Sequence, residues 1–363
     1  MKTTKYLPQI KEPNGMDEIV PVIKPTLHSI GKEKGVRNPK LAFAGVGWIG
    51  RNRMQSAAES GLADIVLISD PSPHCVNEAK KIVNCRTVTT FQETVSDPDV
   101  EGIVIATPSA LHMQQSVEAF EAGKAVFCQK PLGRNSEEVA SVIVAAKKAN
   151  KLLGADFSYR YTSAFKKIHS VIKSGELGKI FAVDLKFHNA YGPDKPWFYD
   201  LKLSGGGCVL DLGIHLIDLM LFAFDFPQVE KVKSSLYAKG VSAKGREVVE
   251  DYAIVLMELE NEVSAQLSCS WNLQAGCEAV IEASFYGTQG GVSLKNINGS
   301  FYDFVASRYW GTKTEVMVQP PDNWGGRALV NWIEKLSASS DFNAEANHFI
   351  SSAEVLDRIY GRK

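Results

Sequence analysis

The stretch KLAFAGVGWIGRNRM, residues 40–54, decides the fold. It opens with an apolar run of strand length and closes in a helical pattern that continues to Ser60. Between the two stand Gly45, Gly47 and Gly50 in the spacing GxGxxG, with Trp48 and Ile49 before the last glycine. Each glycine removes a different obstruction. Gly45 permits the sharp turn, Gly47 lets a pyrophosphate approach the backbone, and Gly50 allows close packing of helix on strand. The free N–H groups of the first helical turn then face the phosphates. The stretch reads as a dinucleotide site in which Gly45, Gly47, Trp48, Ile49 and Gly50 meet the cofactor; the motif alone leaves open a plain strand-turn-helix.

The chain downstream narrows that choice. A second apolar run, DIVLIS, leads into Asp70, about 20 residues past the last glycine, where a dinucleotide presents its adenosine ribose. A carboxylate there accepts from ribose hydroxyls and repels a 2′-phosphate, favouring NAD over NADP. Asp70 also opens the turn DPSP, for which Asp before Pro is ordinary chemistry. From residue 39 to 156, runs such as RTVT, GIVIAT, AVFCQ and LLGADF alternate with helical patterns. That alternation predicts an α/β Rossmann domain with a doubly wound parallel sheet.

Residues 157–343 read differently. A helical segment, TSAFKKIHSVIKSGELG, precedes the strand KIFAVDLKFHNA, and a glycine-rich turn opens the apolar helix LDLGIHLIDLML. Period-two runs follow: VKSSLYA, YAIVLMEL, VSAQLSCSW, AVIEASFYG, GVSLKN, SFYDFV and TEVMVQ. They predict an α+β domain with a large, mostly antiparallel open sheet. Helical stretches near 328–337 and 344–359 close the chain and are expected to pack back on the first domain, with the boundary of the last segment drawn at 344–363. Residues 1–38 carry PQIKEPNG and VPVIKP without helical period and read as an arm. Its apolar residues predict docking on its own or a neighbouring subunit.

The chain has 363 residues, 45% hydrophobic and 22% charged, with a net charge of −1. That is long enough for two domains, and it offers no basic field for nucleic acid or an anionic membrane. No stretch approaches the roughly 20 apolar residues of a membrane-spanning helix. Six scattered cysteines, without a CxxC pair or histidines at metal-ligand spacing, fit a reducing cytoplasm and predict no metal.

Two motifs carry chemistry. AVFCQKPLG places Lys130 just beyond a parallel strand, at the carboxyl edge where such sheets bind ligands. GGGCVLDLGIHLIDLM sets Asp211, His215 and Asp218 at i, i+4 and i+7 on an otherwise apolar helix, a stripe costly to bury without a cavity or mutual pairing. Oxidising a secondary alcohol needs a base with a pKa near the working pH, the role of His215. A lysine beside the substrate oxygen stabilises developing alkoxide, the role of Lys130, and Asp211 orients the imidazole or sugar hydroxyls. Arg160, Asn189, Tyr191 and Trp197, with Asp218, complete a mixed polar and aromatic pocket suited to a sugar or polyol.

GVGWIG, ATPSALH (residues 106–112), CQKPLG and GGGCVLDLGIHLID following SGELGKIFAV occur in this order. In them the chain resembles the glucose-fructose oxidoreductase/inositol dehydrogenase (Gfo/Idh/MocA) family. The resemblance implies catalytic Lys130, Asp211 and His215; Thr107, Pro108, His112 and Gln129 on the cofactor side; and an open sheet that joins subunits into a homodimer or homotetramer. The family commonly has Glu before the lysine, where this chain has Gln129. The activity implied is NAD(H)-dependent hydride transfer to or from a sugar, sugar derivative or polyol. Three alternatives stand beside it: a redox-neutral reaction on tightly held NAD, reduction with NADPH, and a weakly catalytic NAD(H) sensor.

Overall fold

The computed structural model describes residues 37–362. The arm expected over residues 1–38 therefore lies, save for Arg37 and Asn38, outside the described residues. From Arg37 onward the chain forms one contact unit built on two sheets.

The first sheet comprises β1 (Lys40–Ala44), β2 (Asp64–Ser69), β3 (Arg86–Val88), β4 (Gly102–Ile105), β5 (Ala125–Cys128) and β6 (Leu153–Ala155). All neighbours are parallel, in the order β3-β2-β1-β4-β5-β6. β1, β4 and β5 are buried almost throughout, because helices cover both faces. These helices are α1 (Trp48–Ser60), α2 (Pro73–Lys80), α3 (Phe91–Ser96), α4 (Ser109–Glu121) and α5 (Ser136–Ala149). The strand order reverses between β1 and β4, the crevice where open α/β sheets bind ligands.

The second sheet begins after α6 (Ser163–Lys173) with β7 (Ile180–Asn189). The short α7 (Leu201–Ser204), a π-helical turn over Val209–Gly213 and α8 (Ile214–Ala223) come next. The remaining strands are β8 (Val229–Ala238), β9 (Val241–Ser242), β10 (Tyr252–Leu259), β11 (Ser264–Ser270), β12 (Ala279–Gly287), β13 (Gly291–Asn296), β14 (Phe304–Trp310) and β15 (Lys313–Val318). Their order is β15-β14-β13-β12-β7-β11-β10-β8-β9, antiparallel except where β11 joins β7. In the stretch SFYDFV only the last two residues are strand, at the start of β14.

Strict alternation in β10 buries Ala253, Val255, Met257 and Leu259 against α8 and leaves Ile254 and Leu256 on the open face. The helical run Leu201–Ala223 does reach spanning length, with a window of mean hydropathy 1.7, contrary to the sequence expectation. That window is 83% buried inside the protein, so its apolarity is that of a core helix.

The two closing helices return toward the first sheet. α9 (Arg327–Ala338), which falls within the segment 157–343, packs Leu329, Trp332 and Ile333 beneath the first sheet with Leu41 and Phe43. Gly154 leaves room for that indole, since a β-carbon there would stand 2.5 Å from Trp332. α10 (Phe349–Tyr360) touches α5, α8 and β8, wedging between the domains.

Candidate active site

The cofactor edge forms where β1 and β4 diverge. Gly45 has φ +83, and a β-carbon on it would lie 2.6 Å from the Ala106 carbonyl oxygen. A β-carbon on Gly50 would fall 2.1 Å from the Gly45 carbonyl oxygen, whereas one on Gly47 would meet nothing within 4 Å. The turn is therefore tight on one side and open on the other, the shape a pyrophosphate requires. α2, α3 and α5 begin with side-chain caps, but α1 and α4, which start at Gly47 and Pro108 on this crevice, have none. Their first N–H groups remain available to an anion.

Asp70 is held by two backbone N–H groups. Oδ2 accepts from the Val46 N–H at 2.8 Å, fixing the glycine turn, and Oδ1 accepts from the Ser72 N–H at 2.8 Å, closing the DPSP turn. Each carboxylate oxygen keeps a lone pair for ribose hydroxyls. Thr107 abuts the glycine turn, and its hydroxyl is tied to Gln115 Oε1 at 2.6 Å.

His112 and Gln129, expected on the cofactor side, brace the crevice from within. Both ring nitrogens of His112 lie 2.7 Å from carbonyl oxygens, those of Pro131 and Thr107, so the buried ring ties together the two turns that flank the crevice. Gln129 turns inward and donates its amide to Asp156 Oδ2. The same carboxylate pairs with Arg53 Nε of α1 and accepts from Ser158. A glutamate at position 129 would set two carboxylates together; glutamine donates instead, matching the donor to the buried acceptor.

The catalytic candidates converge on the far side of Gln129. Lys130 Nζ donates to Asp211 Oδ1 at 2.8 Å and to the Asp211 carbonyl at 2.7 Å. Trp271 Nε1 donates to Asp211 Oδ2 at 3.1 Å, so both carboxylate oxygens have fixed partners. Asp211 therefore orients Lys130 rather than the imidazole. His215 packs its ring 4.7 Å from that of Tyr159 and 6.4 Å from that of Phe187, and its buried Nδ1 has no partner among the described residues. Burial holds His215 well below its ordinary pKa, and the charges of Lys130 and Arg53 push the same way.

The π-helical turn that carries Asp211 is anchored from beneath. Buried Glu250 accepts from the Gly207 N–H at 2.9 Å and the Val209 N–H at 3.0 Å, while the Tyr360 hydroxyl donates to it at 2.8 Å. Trp271, Tyr159, Arg53, Asp156, Glu250 and Tyr360 went unread in the sequence. Only Trp271 had a local signal, an indole closing a period-two run.

Arg160 and Asp218 leave the predicted substrate set. They pair with each other through two guanidinium nitrogens, under the rings of Phe157, Phe222 and Phe226, and Asp218 is buried. This is the mutual pairing that a buried stripe demands, and it sits at the middle of α8. Asn189 ends β7 with a buried Oδ1 that has no partner among the described residues. Tyr191 packs 6.1 Å from Phe301, and Trp197 stacks on Phe198 at 3.8 Å, both in the loop after β7.

A glycine turn at the switch point of a parallel sheet stands here beside a lysine, a carboxylate and an imidazole at the sheet's carboxyl edge, a dinucleotide-binding crevice with proton-bearing groups at its side. Residues 40–157 match the model of the oxidoreductase family with an NAD-binding Rossmann fold, and residues 165–293 match the GFO/IDH/MocA C-terminal domain. The chain belongs to the Gfo/Idh/MocA oxidoreductase family.

Among its relatives, 1,5-anhydro-D-fructose reductase of Ensifer adhaerens is 30% identical over 58% of this chain and 62% of its own length. The chain thus aligns with less than two thirds of that reductase. Inositol 2-dehydrogenase 1 of Mycolicibacterium vanbaalenii is 26% identical over 79% of this chain and 90% of its own. Levoglucosan dehydrogenase, solved with NADH and levoglucosan, superposes with a TM-score of 0.76 at 19% identity, over 90% of this chain and 97% of that one.

Proposed function

We propose that this enzyme transfers hydride between NAD(H) and a secondary alcohol or ketone carbon of a sugar, sugar derivative or polyol. The bonded pair of Lys130 and Asp211 beside an unpartnered His215 nitrogen carries this reading. Glycines 45, 47 and 50, the uncapped starts of α1 and α4, Asp70 and the Thr107–Pro108 turn would hold the dinucleotide. When bound, it supplies the hydride acceptor or donor.

The residues divide the remaining work. His215, kept neutral by burial and neighbouring cations, accepts the hydroxyl proton as the alcohol is oxidised. Lys130 has three N–H donors and spends two on Asp211, leaving one for the substrate oxygen as alkoxide charge develops. Asp211 and Trp271 fix that ammonium before substrate arrives. Asn189, with its unpartnered oxygen, and the rings of Tyr191 and Trp197 supply pocket contacts. The Asp70 carboxylate supports NAD over NADP.

The described cysteines are all unpaired thiols, which fits a cytoplasmic enzyme. Exposed Ile254, Leu256 and Phe181 on the open sheet face support a homodimer or homotetramer built through it. The test is a panel of sugars, anhydro sugars and inositols with NAD and with NADP, read as reduced cofactor. Dinucleotide binding without turnover of any member would replace this reading with that of an NAD(H) sensor.

A further inference from the structure

Four consecutive N–H groups, those of Gly207, Cys208, Val209 and Leu210, open the helical run that carries Asp211. The first bond of the run itself comes one residue later, where the Asp211 N–H donates to the Gly207 carbonyl at 3.0 Å. A helix start offers these four groups no partners of its own, and here all four residues are buried. Two distant residues satisfy them. Glu250 takes the Gly207 N–H on Oε2 at 2.9 Å, the Cys208 N–H on its backbone carbonyl at 3.1 Å and the Val209 N–H on Oε1 at 3.0 Å. The Leu210 N–H donates to the Tyr360 hydroxyl at 3.2 Å, across 150 residues of sequence. That hydroxyl donates in turn to Glu250 Oε1 at 2.8 Å, so the two caps hold each other.

The fit leaves no room to spare. A β-carbon on Gly206 would stand 2.3 Å from the Tyr360 hydroxyl oxygen, and one on Gly207 would stand 1.8 Å from the Glu250 carbonyl oxygen. Glycine at these two positions is what lets both caps close on the backbone. Tyr360 is itself clamped. The Arg362 guanidinium lies over its ring, 4.4 Å from the centroid, and donates to the Arg134 carbonyl at 2.8 Å and to the Gly205 carbonyl. Asp357 of α10 accepts from the Ser136 N–H at 2.8 Å. Arg134 follows directly on the turn Lys130–Gly133, and Gly205 opens the turn that leads to Asp211. One segment, residues 357–362, therefore bridges the two turns that present the pair of Lys130 and Asp211.

We propose that Tyr360 and Glu250 are positioning residues of the reaction: they fix the main chain at Asp211, and through it the ammonium of Lys130, while touching neither substrate nor cofactor. The path is short. Lys130 Nζ makes both its bonds to residue 211, one to the carbonyl and one to the side chain, so a shift of the backbone there moves both at once. Removing the Tyr360 hydroxyl takes the partner from the Leu210 N–H and a donor from Glu250, and the turn must relax to satisfy them. A displacement of about 1 Å at a catalytic group costs about 100-fold in rate, so a fraction of that shift is readable. The inference rests on the oxidoreductase reading above and adds to its site two residues that lie beneath the pocket.

The test is Tyr360→Phe, which removes the hydroxyl and keeps the ring. Glu250→Gln, which keeps one acceptor oxygen, is run beside it so that one folded variant suffices. Each is assayed with NAD on glucose, methyl glucoside and myo-inositol. For a substrate that turns over, kcat should fall about 10-fold while KM and the calorimetric affinity for NADH stay within about 2-fold. In a Lys130→Met background the same substitution should cost nothing further, because the group it positions is gone. A readout free of turnover follows Asp211 itself. The indole N–H of Trp271 donates to Asp211 Oδ2, so its resonance, assigned by Trp271→Phe in protein carrying isotope-labelled tryptophan, should shift in either variant.

An unmoved Trp271 resonance would overturn the proposal whatever happens to kcat, and with a lower melting temperature it would make the two caps purely structural. A loss of kcat that adds fully to that of Lys130→Met would also overturn it, since the effect then lies elsewhere. Both results leave the oxidoreductase reading intact if the unmodified protein turns a substrate over. A shifted resonance, in a protein whose unmodified form binds NADH but turns over none of the three compounds, would support the anchoring of Asp211 and overturn the reading beneath it.

Discussion

The ammonium of Lys130 is held twice by Asp211, at 2.8 Å through the carboxylate and at 2.7 Å through the backbone carbonyl, across 81 residues of sequence. A lysine fixed in this way meets the substrate with its charge already placed. Replacing Lys130 by Met should lower kcat about 100-fold or more, as loss of an oxyanion donor does. NAD affinity should change far less, because the glycine turn and Asp70 stand apart from this pair. Near-normal turnover in steady-state kinetics would remove Lys130 from the mechanism.

His215 should set the acid limb of the pH profile. Its pKa is depressed in the folded protein, so the neutral base persists below the pH at which an ordinary histidine protonates, about 6.5. For alcohol oxidation, kcat/KM should be flat through neutrality and fall only below about pH 6.5. His215→Asn should abolish that limb. Folding stability carries the same sign: the unfolded chain binds the proton that the folded one excludes, so stability falls as pH drops below about 6.5. Denaturant melts of the variant should lose this part of the pH dependence.

Asp70→Ala should narrow the preference for NAD over NADP, measured by calorimetry with each dinucleotide. It should also cost stability, because the Val46 and Ser72 N–H groups lose their acceptor, at about 1 kcal/mol for each bond. Asp70→Asn, which keeps one acceptor oxygen, should retain more stability while still losing discrimination. Tighter binding of NADP than NAD by the unmodified protein would refute the role assigned to this carboxylate.

Gln129→Glu would install the residue common in the family, and in this chain it should destabilise. The new carboxylate would replace a donor with a second acceptor at Asp156, which already holds Arg53 and Ser158. Like charges raise the folded-state pKa of one carboxyl above its unfolded value. The penalty should therefore be largest at neutral pH and shrink as pH falls toward about 4, where the unfolded chain also takes up the proton. Equal stability of variant and parent at neutral pH in urea titrations would show that the network tolerates the charge.

Much of this was legible along the chain. The glycine spacing at 45, 47 and 50, the alternation of apolar runs with helical patterns, and the position of Lys130 after β5 are local signals. Backbone sterics and side-chain periodicity act over a few residues, so they can be read without knowing the fold. The same periodicity found the stripe of Asp211, His215 and Asp218 but not what each would meet.

Tertiary packing decided that. Asp211 went to Lys130 and Trp271, His215 to Tyr159 and the cations, and Asp218 to Arg160, an ion pair behind the site. Arg53 and Asp156, 103 residues apart, were silent in the sequence because each alone reads as an ordinary charged residue. Period tells which face of an element is buried. Which donor will satisfy a buried acceptor depends on the elements that arrive from distant parts of the chain, since each buried polar group must find a partner wherever the packing brings one.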